Sequence, residues 1–274
     1  MLVAYHSSLV RGPAPGWQDS VRIAAAAGFD FIDLNLMEVA DVDPGFLRES
    51  LEEANLRAWA ASLPAAFRED QATFEESLES LRRIAPLAAS VGVRVMHRSL
   101  PASSDKPFSE LEPLLQRRWR ECADILGAHG ITAVVEPLGT PYRRQEGLNA
   151  FISRLDMAAE FAHGCGEHMG VLVDSWHWYL AGDTAADIVQ MGEMVAHVHI
   201  ADVPHLPEQA LRDDERVLPG EGKVDFDVFR GALERIGYAG VVTPEIPGKW
   251  SEGSSPIEAS RRALEATVEV IGDD

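Results

Sequence analysis

Eight short β-branched or apolar runs, each followed by a longer stretch with helical periodicity, constrain this chain more than any other feature. The runs cover residues 2–6, 29–35, 56–62, 92–97, 131–136, 170–174, 195–200 and 240–245. Amphipathic segments follow at 17–27, 44–54, 71–90, 109–129, 149–163, 184–193, 225–236 and 256–271. Gly28, Gly92, Gly130 and Gly237 stand where helices should stop before a strand begins. The runs start 25–45 residues apart, the length of one strand–helix unit. Eight such units in 274 residues predict a closed α/β structure, a single (β/α)₈ barrel. An open doubly wound sheet would be expected to carry a Gly-x-Gly-x-x-Gly turn after the first strand, and none is present. No Pro-, Gly- or Ser-rich linker divides the chain, so it reads as one domain over residues 1–274. The longest loops, 98–108 and 201–224, follow strands and belong to the face of a barrel where sites form.

Composition narrows the partners. Lys and Arg total 24 against 44 Asp and Glu, a formal charge of −20. Such a surface repels phosphate backbones and anionic lipid, so neither nucleic acid nor membrane is an expected partner. With 46% apolar and 25% charged residues, disordered and coiled-coil readings drop out. Cys122 and Cys165 have no metal-type spacing and suit a reducing compartment. The start, MLVAYHSSLV, lacks the basic n-region of a secretion signal, and no apolar run is long enough to span a bilayer. A soluble, cytoplasmic protein is the expectation; a homo-oligomer is compatible with the sequence without being read from it.

In a barrel, the residue closing each strand points into the mouth. Those positions hold His6, Asn35, His97, Glu136, Asp174, His199 and Glu245. The last four come from successive strands, the fifth to the eighth. Three carboxylates and an imidazole converging on one point make a mixed O/N site for a divalent cation such as Mn²⁺, Mg²⁺, Co²⁺ or Zn²⁺. Without a cation, three carboxylates so placed would repel one another strongly. Taken singly, each is an ordinary rim charge, and His197 or His199 an ordinary interior histidine. Their coincidence at equivalent strand ends argues for a metal site.

Four segments carry a family resemblance. VVEPL (134–138), VLVDSWHWY (171–179), HVHIAD (197–202) and VVTPEI (241–246) resemble the metal-binding strands of the xylose-isomerase-like barrel superfamily. Sugar isomerases and epimerases, inosose isomerases and type IV apurinic endonucleases belong to that superfamily. The resemblance implies metal ligation by Glu136, Asp174, His199 and Glu245, with Mn²⁺ first among the cations. It also implies acid/base roles for Glu136 and Glu245, and a substrate contact by His177. RVLPGEG (216–222) adds Arg216 as a substrate-binding arginine, and segment 202–224 looks most like inosose isomerases. After Glu245 the chain reads IPGKW, a departure from the nearest relatives that bears on substrate identity.

The chemistry expected of this constellation is proton transfer. A divalent ion chelating a carbonyl and a neighbouring hydroxyl stabilises an enediolate, and a carboxylate removes the α proton. Glu136 and Glu245, on the fifth and eighth strands, approach from different sides, which permits epimerisation as well as isomerisation. Trp176, Trp178, Tyr179, Trp250 and Trp59 offer flat walls for a sugar or cyclitol ring, Trp250 and Trp176 foremost. His97 is a further candidate substrate contact. The loop after the seventh strand carries Glu221, which favours an unphosphorylated ketose, aldose or inosose. A lyase or dehydratase beginning with the same proton abstraction is the alternative. An endonuclease is opposed by the charge and by the sequence LRDDERVLPG, which lacks the family's Asp-x-His pair. A sugar-binding module without turnover is motivated by nothing in the sequence.

Overall fold

The computed structural model describes residues 1–272; Asp273 and Asp274, the end of the expected 1–274 domain, lie outside the described residues. Eight parallel strands close in chain order: β1 (Leu2–Tyr5), β2 (Phe31–Leu34), β3 (Arg57–Ser62), β4 (Val95–Ser99), β5 (Thr132–Glu136), β6 (Met169–Asp174), β7 (Val195–Ile200) and β8 (Val241–Pro244), with β8 pairing back onto β1. Around them run α1 (Trp17–Ala27), α2 (Pro44–Glu53), α3 (Gln71–Ser90), α4 (Phe108–Gly127), α5 (Leu155–Cys165), α6 (Ala185–Met191), α7 (Phe226–Arg235) and α8 (Pro256–Ile271). The architecture is the (β/α)₈ barrel that the alternation predicts. Local chemistry sets the helix starts. Asp43, Asp70, Asp225 and Ser255 each accept a first-turn N–H, a cap worth about 1 kcal/mol. Gly28 ends α1 at φ 97°, a conformation open to glycine at little cost. No helix among the described residues is long and apolar enough to cross a membrane.

Two elements differ from the sequence reading. β4 starts at Val95 rather than residue 92, because the Val93 N–H still bonds Ala88 O and closes the end of α3. It continues to Ser99 because Arg98 and Ser99 pair with Val135 and Glu136 of β5. α5 begins at Leu155 rather than residue 149. Asn149–Ala150 pairs antiparallel with Ser103–Ser104, and Phe151 and Ile152 donate to the Ala102 and Pro101 carbonyls. The buried Phe151 and Ile152 mimic one face of a helix while strapping two loops together.

The barrel interior changes character along its axis. Ala60, Val95, Val134 and Leu172 form an apolar layer, closed from the side by Trp59. Side chains in a strand repeat every second residue, so the next inward positions are Ser62, His97, Glu136 and Asp174. On β7 the same step leads from His197 to His199, and at β8 from Thr243 to Glu245. Polar groups therefore gather toward the C-terminal mouth, above this apolar layer.

Candidate metal centre and active site

The strand ladder brings four side chains level. Glu136 and Asp174 close β5 and β6, Asp174 pairs with His199, and His199 pairs with Thr243. The Glu245 N–H donates to Ile200 O at 3.1 Å, extending that register by one residue. One donor atom from each of Glu136, Asp174, His199 and Glu245 lies within 4.8 Å of the others. Glu136, Asp174 and His199 are buried, while the Glu245 side chain keeps 26% of its surface open toward the mouth. Arg216 Nη1 stands 2.7 Å from Asp174 Oδ2 and 3.2 Å from Glu245 Oε2. His199 Nδ1 lies 3.5 Å from Glu245 Oε2 and 4.0 Å from Glu136 Oε1.

Three carboxylates in one buried space distort one another's protonation. Burial, followed by the charge of Glu245, pushes the Glu136 carboxyl up. Burial acts the same way on Glu245, but Arg216 and His199 outweigh it and hold Glu245 well below the usual range. For His199, burial favours the neutral ring, yet the nearby charge of Glu245, 3.5 Å from Nδ1, with Glu136 and Asp174 behind, raises it to about 9. Glu136 Oε1 and both ring nitrogens of His199 are buried without a hydrogen-bond partner. Each such orphan costs about 1–3 kcal/mol. A divalent cation held by these three carboxylates and one imidazole would satisfy Glu136 Oε1 and one His199 nitrogen, and would relieve the like-charge repulsion; the donor set fits it. His97, His197 and His199 also bring ring nitrogens within 4.8 Å of one another. That trio is a poorer site. Trp59 Nε1 donates to His197 Nδ1 at 3.3 Å, so the neutral ring carries its proton on Nε2, toward Asp33 Oδ2 at 3.8 Å. His197 thus has no lone pair left for an ion.

Arg216 is held in place by a chain whose proton positions follow from donor and acceptor capacity alone. Its Nη2, a donor only, meets His177 Nε2 at 3.3 Å, so that nitrogen accepts. His177 Nδ1 therefore carries the proton and donates to Thr140 Oγ1 at 3.2 Å. Trp176 Nε1 donates to the same oxygen at 3.2 Å, and the Thr140 hydroxyl passes its own proton toward Asp213 Oδ1 at 3.2 Å. Asp213 Oδ2 accepts from Tyr142 Oη at 2.7 Å and from Arg143 at 2.8 Å. Burial lowers His177 to about 4, in keeping with a neutral ring. The loop bearing Arg216 is folded around Asp202. This fully buried carboxylate accepts the backbone N–H groups of Val203, Gly220, Gly222 and Val224 at 2.7–3.0 Å. At Gly222 a β-carbon would meet Val203 O at 2.3 Å, so the turn closes only without a side chain.

The residues singled out in the sequence occupy distinct places. Glu136, Asp174, His199 and Glu245 come together, with Arg216 bridging two of them. His177 is 4% exposed and has both nitrogens engaged, facing Arg216 rather than open space. Trp176 is fully buried beneath the site, and Trp250, half-buried, donates its indole N–H to Ile246 O at 2.6 Å. His97 is buried, its ring 4.9 Å from that of His199. His6 Nδ1 accepts from the Ser8 N–H at 3.1 Å, and Asn35 caps the short helix Leu36–Val39. Trp59 lies deep in the barrel against Phe31 and His197, away from the mouth. Thr140, Asp213 and Asp33 escaped the sequence reading, and Asp202, the Asp of the His-x-x-Asp pattern, was given no role there. Asp202 ends the quoted HVHIAD segment and precedes a PGEG turn, which is a usable signal; Thr140 and Asp213 offer none.

The chain is similar to several known proteins. The inosose isomerase of Bacillus licheniformis is 28% identical over 179 residues, 65% of this chain and 58% of that protein, so the match spans less than two thirds of its length. The L-ribulose 3-epimerase of a Methylomonas species is 26% identical over 252 residues, covering 85% of this chain and 79% of that one. A xylose isomerase domain protein from Alicyclobacillus acidocaldarius superposes with a TM-score of 0.90 at 25% identity, covering 99% of this chain and 98% of its own. The IolI protein, solved with a bound zinc atom, superposes at 0.84 with 21% identity over 99% and 98% of the two chains. The family model described as the xylose isomerase-like TIM barrel matches residues 21–269, and the chain belongs to that family.

Proposed function

We propose that this chain is a divalent-metal-dependent isomerase or epimerase of an unphosphorylated sugar or keto-inositol. The observation that carries the reading is the convergence of Glu136, Asp174, His199 and Glu245 at the mouth, their donor atoms within 4.8 Å. Those four residues would hold the cation, with Mn²⁺ first and Mg²⁺, Co²⁺ or Zn²⁺ as alternatives. When bound, it supplies Lewis acidity toward the substrate's carbonyl and adjacent hydroxyl oxygens. Glu136 and Glu245 are the acid/base pair. Standing on β5 and just after β8, they reach a bound ring from different sides, so one removes the proton α to the carbonyl and the other returns it. A single carboxylate acting alone would serve a 1,2-isomerisation. Arg216 holds Asp174 and Glu245 in position and presents its charge to substrate oxygen, while His177, fixed as the Nδ1–H tautomer, orients Arg216. His97 and Trp250 complete the substrate surface, and Trp176 supports it from below. Cys122 and Cys165, both free and buried, agree with a cytoplasmic setting.

Solvent deuterium uptake, followed by proton NMR on inosose and a panel of free ketoses, tests the reading. Manganese-loaded and chelator-treated protein are compared, with the enzyme filtered off before spectra are taken. Metal-dependent deuteration α to the carbonyl is expected, with an isomer or epimer as product. No exchange with any compound, in protein that holds metal, overturns the reading. Loss of water from the product would instead mark a lyase.

A further inference from the structure

Beside the carboxylate cluster the mouth has a second compartment. A cavity of about 320 Å³ opens between the loops that follow β3, β4 and β5. Ser99 lines it and pairs with Glu136 in the β4–β5 ladder, so it begins one strand away, about 4.8 Å, from the backbone of the proposed base. Phe67, Trp119 and Leu138 give it an apolar wall, and Arg68 and Arg98 give it charge. Among the described residues these two guanidiniums meet no carboxylate. Arg98 has one long contact, 3.5 Å to Leu63 O, and Arg68 has no hydrogen bond or ion pair. Arg143, at the same cavity, is already committed, 2.8 Å from Asp213 and 3.6 Å from Glu146. Glu69 is left as the one lining acid without an ion pair, beside two arginines that have none. In a chain of net charge −20, that local excess of free positive charge stands out.

We propose that this compartment receives a carboxylate at the far end of the substrate, so that the enzyme acts on a sugar acid. The reacting carbons lie at Glu136 and Glu245, and the carboxylate reaches Arg98 and Arg68. A guanidinium fork matches a carboxylate in two parallel hydrogen bonds, which a lysine could not reproduce. Phosphate is the poorer occupant. Barrel phosphate sites draw on glycine N–H groups and helix N-termini after the last two strands. This cavity follows β3 to β5, and the nearby Gly147 N–H already donates to Ser103 Oγ at 2.9 Å. The inference rests on the proposed proton transfer at the cluster, but its test is one of binding alone.

Manganese-loaded protein is titrated calorimetrically with glucose, glucuronate and glucose 6-phosphate, which differ at C6, and with the manno and galacto counterparts. In at least one configuration the carboxylate should bind at least about tenfold tighter than the neutral sugar, a difference of about 1.4 kcal/mol. The double variant Arg68→Gln/Arg98→Gln should lose that preference while its Mn²⁺ affinity stays at the wild-type value, which checks the fold. In parallel, the Arg98 Nε–H resonance of the wild type should shift on addition of acetate. The proposal is overturned if no configuration favours the carboxylate, if the phosphate is favoured over it, if the preference survives in the double variant, or if acetate leaves the resonance unmoved. Deuterium exchange is measured apart from this binding, so a failure of the carboxylate preference and a failure of the proton-transfer reading are distinguishable.

Discussion

The two sides of the barrel mouth treat charge in opposite ways. On the β5–β8 side, Arg216 is tied to Asp174, Glu245 and His177, and through Thr140 to Asp213. On the β3–β5 side, Arg68 and Arg98 are unpaired. A group that must hold reacting atoms to within a fraction of an ångström profits from neighbours that lock its rotamer and tautomer. A group that selects a ligand must keep its hydrogen-bonding capacity free until the ligand arrives. On the proposed reading, the first side serves proton transfer and the second chooses what arrives there.

That contrast can be broken experimentally, and the largest effect belongs to the acid/base pair. Glu136→Gln or Glu245→Gln should reduce deuterium exchange by about 10²–10⁴-fold. Exchange within tenfold of wild type in either variant would remove that glutamate from the proposed role. Asp202→Ala comes next, because it leaves four backbone N–H groups without their acceptor. At about 1 kcal/mol for each bond, the loss is about 3–4 kcal/mol, and the thermal midpoint should fall by about 10 °C. An unchanged midpoint would mean that the Arg216 loop is held by something else. Saturation with Mn²⁺ should raise the midpoint, since a ligand at about a hundred times its dissociation constant adds about 2.7 kcal/mol. Asp174→Asn should shrink that increment, and a full increment in this variant would exclude Asp174 from the ligand set. The smallest effect separates orientation from mere packing. Thr140→Val should lower kcat/KM about tenfold, from the loss of about 1–1.5 kcal/mol of hydrogen bonding, while Thr140→Ser restores it. Equal activity in all three forms would show that the His177 tautomer does not depend on Thr140.

Much of the site was legible because a barrel converts sequence period into position. A residue at the end of a strand faces the mouth, and the strand ends were marked by apolar runs and by the glycines that close the preceding helices. Glu136, Asp174, His199 and Glu245 could therefore be singled out one strand at a time. Trp59, grouped with the mouth aromatics although it lies within β3, instead packs against Phe31 and His197. The family resemblance made His177 a substrate contact, and nothing local reports that Arg216, 39 residues away, turns back onto its ring. Phe151 and Ile152 misled for a related reason: burial under a loop strap and burial on a helix face require the same residues.

The sequence by itself determined the barrel, the order of its strands, and the four donor side chains that reach its mouth. Those depend on periodicity and capping, which act over a few residues. Tertiary structure alone decided the neighbours of those donors: Arg216 between Asp174 and Glu245, and the proton order along His177 and Thr140. These depend on loops closing over distances of 20 to 42 residues, as from Asp202 to Gly222 or from Asp174 to Arg216. Whether a buried charge finds its partner is set there by packing, and no local pattern encodes it.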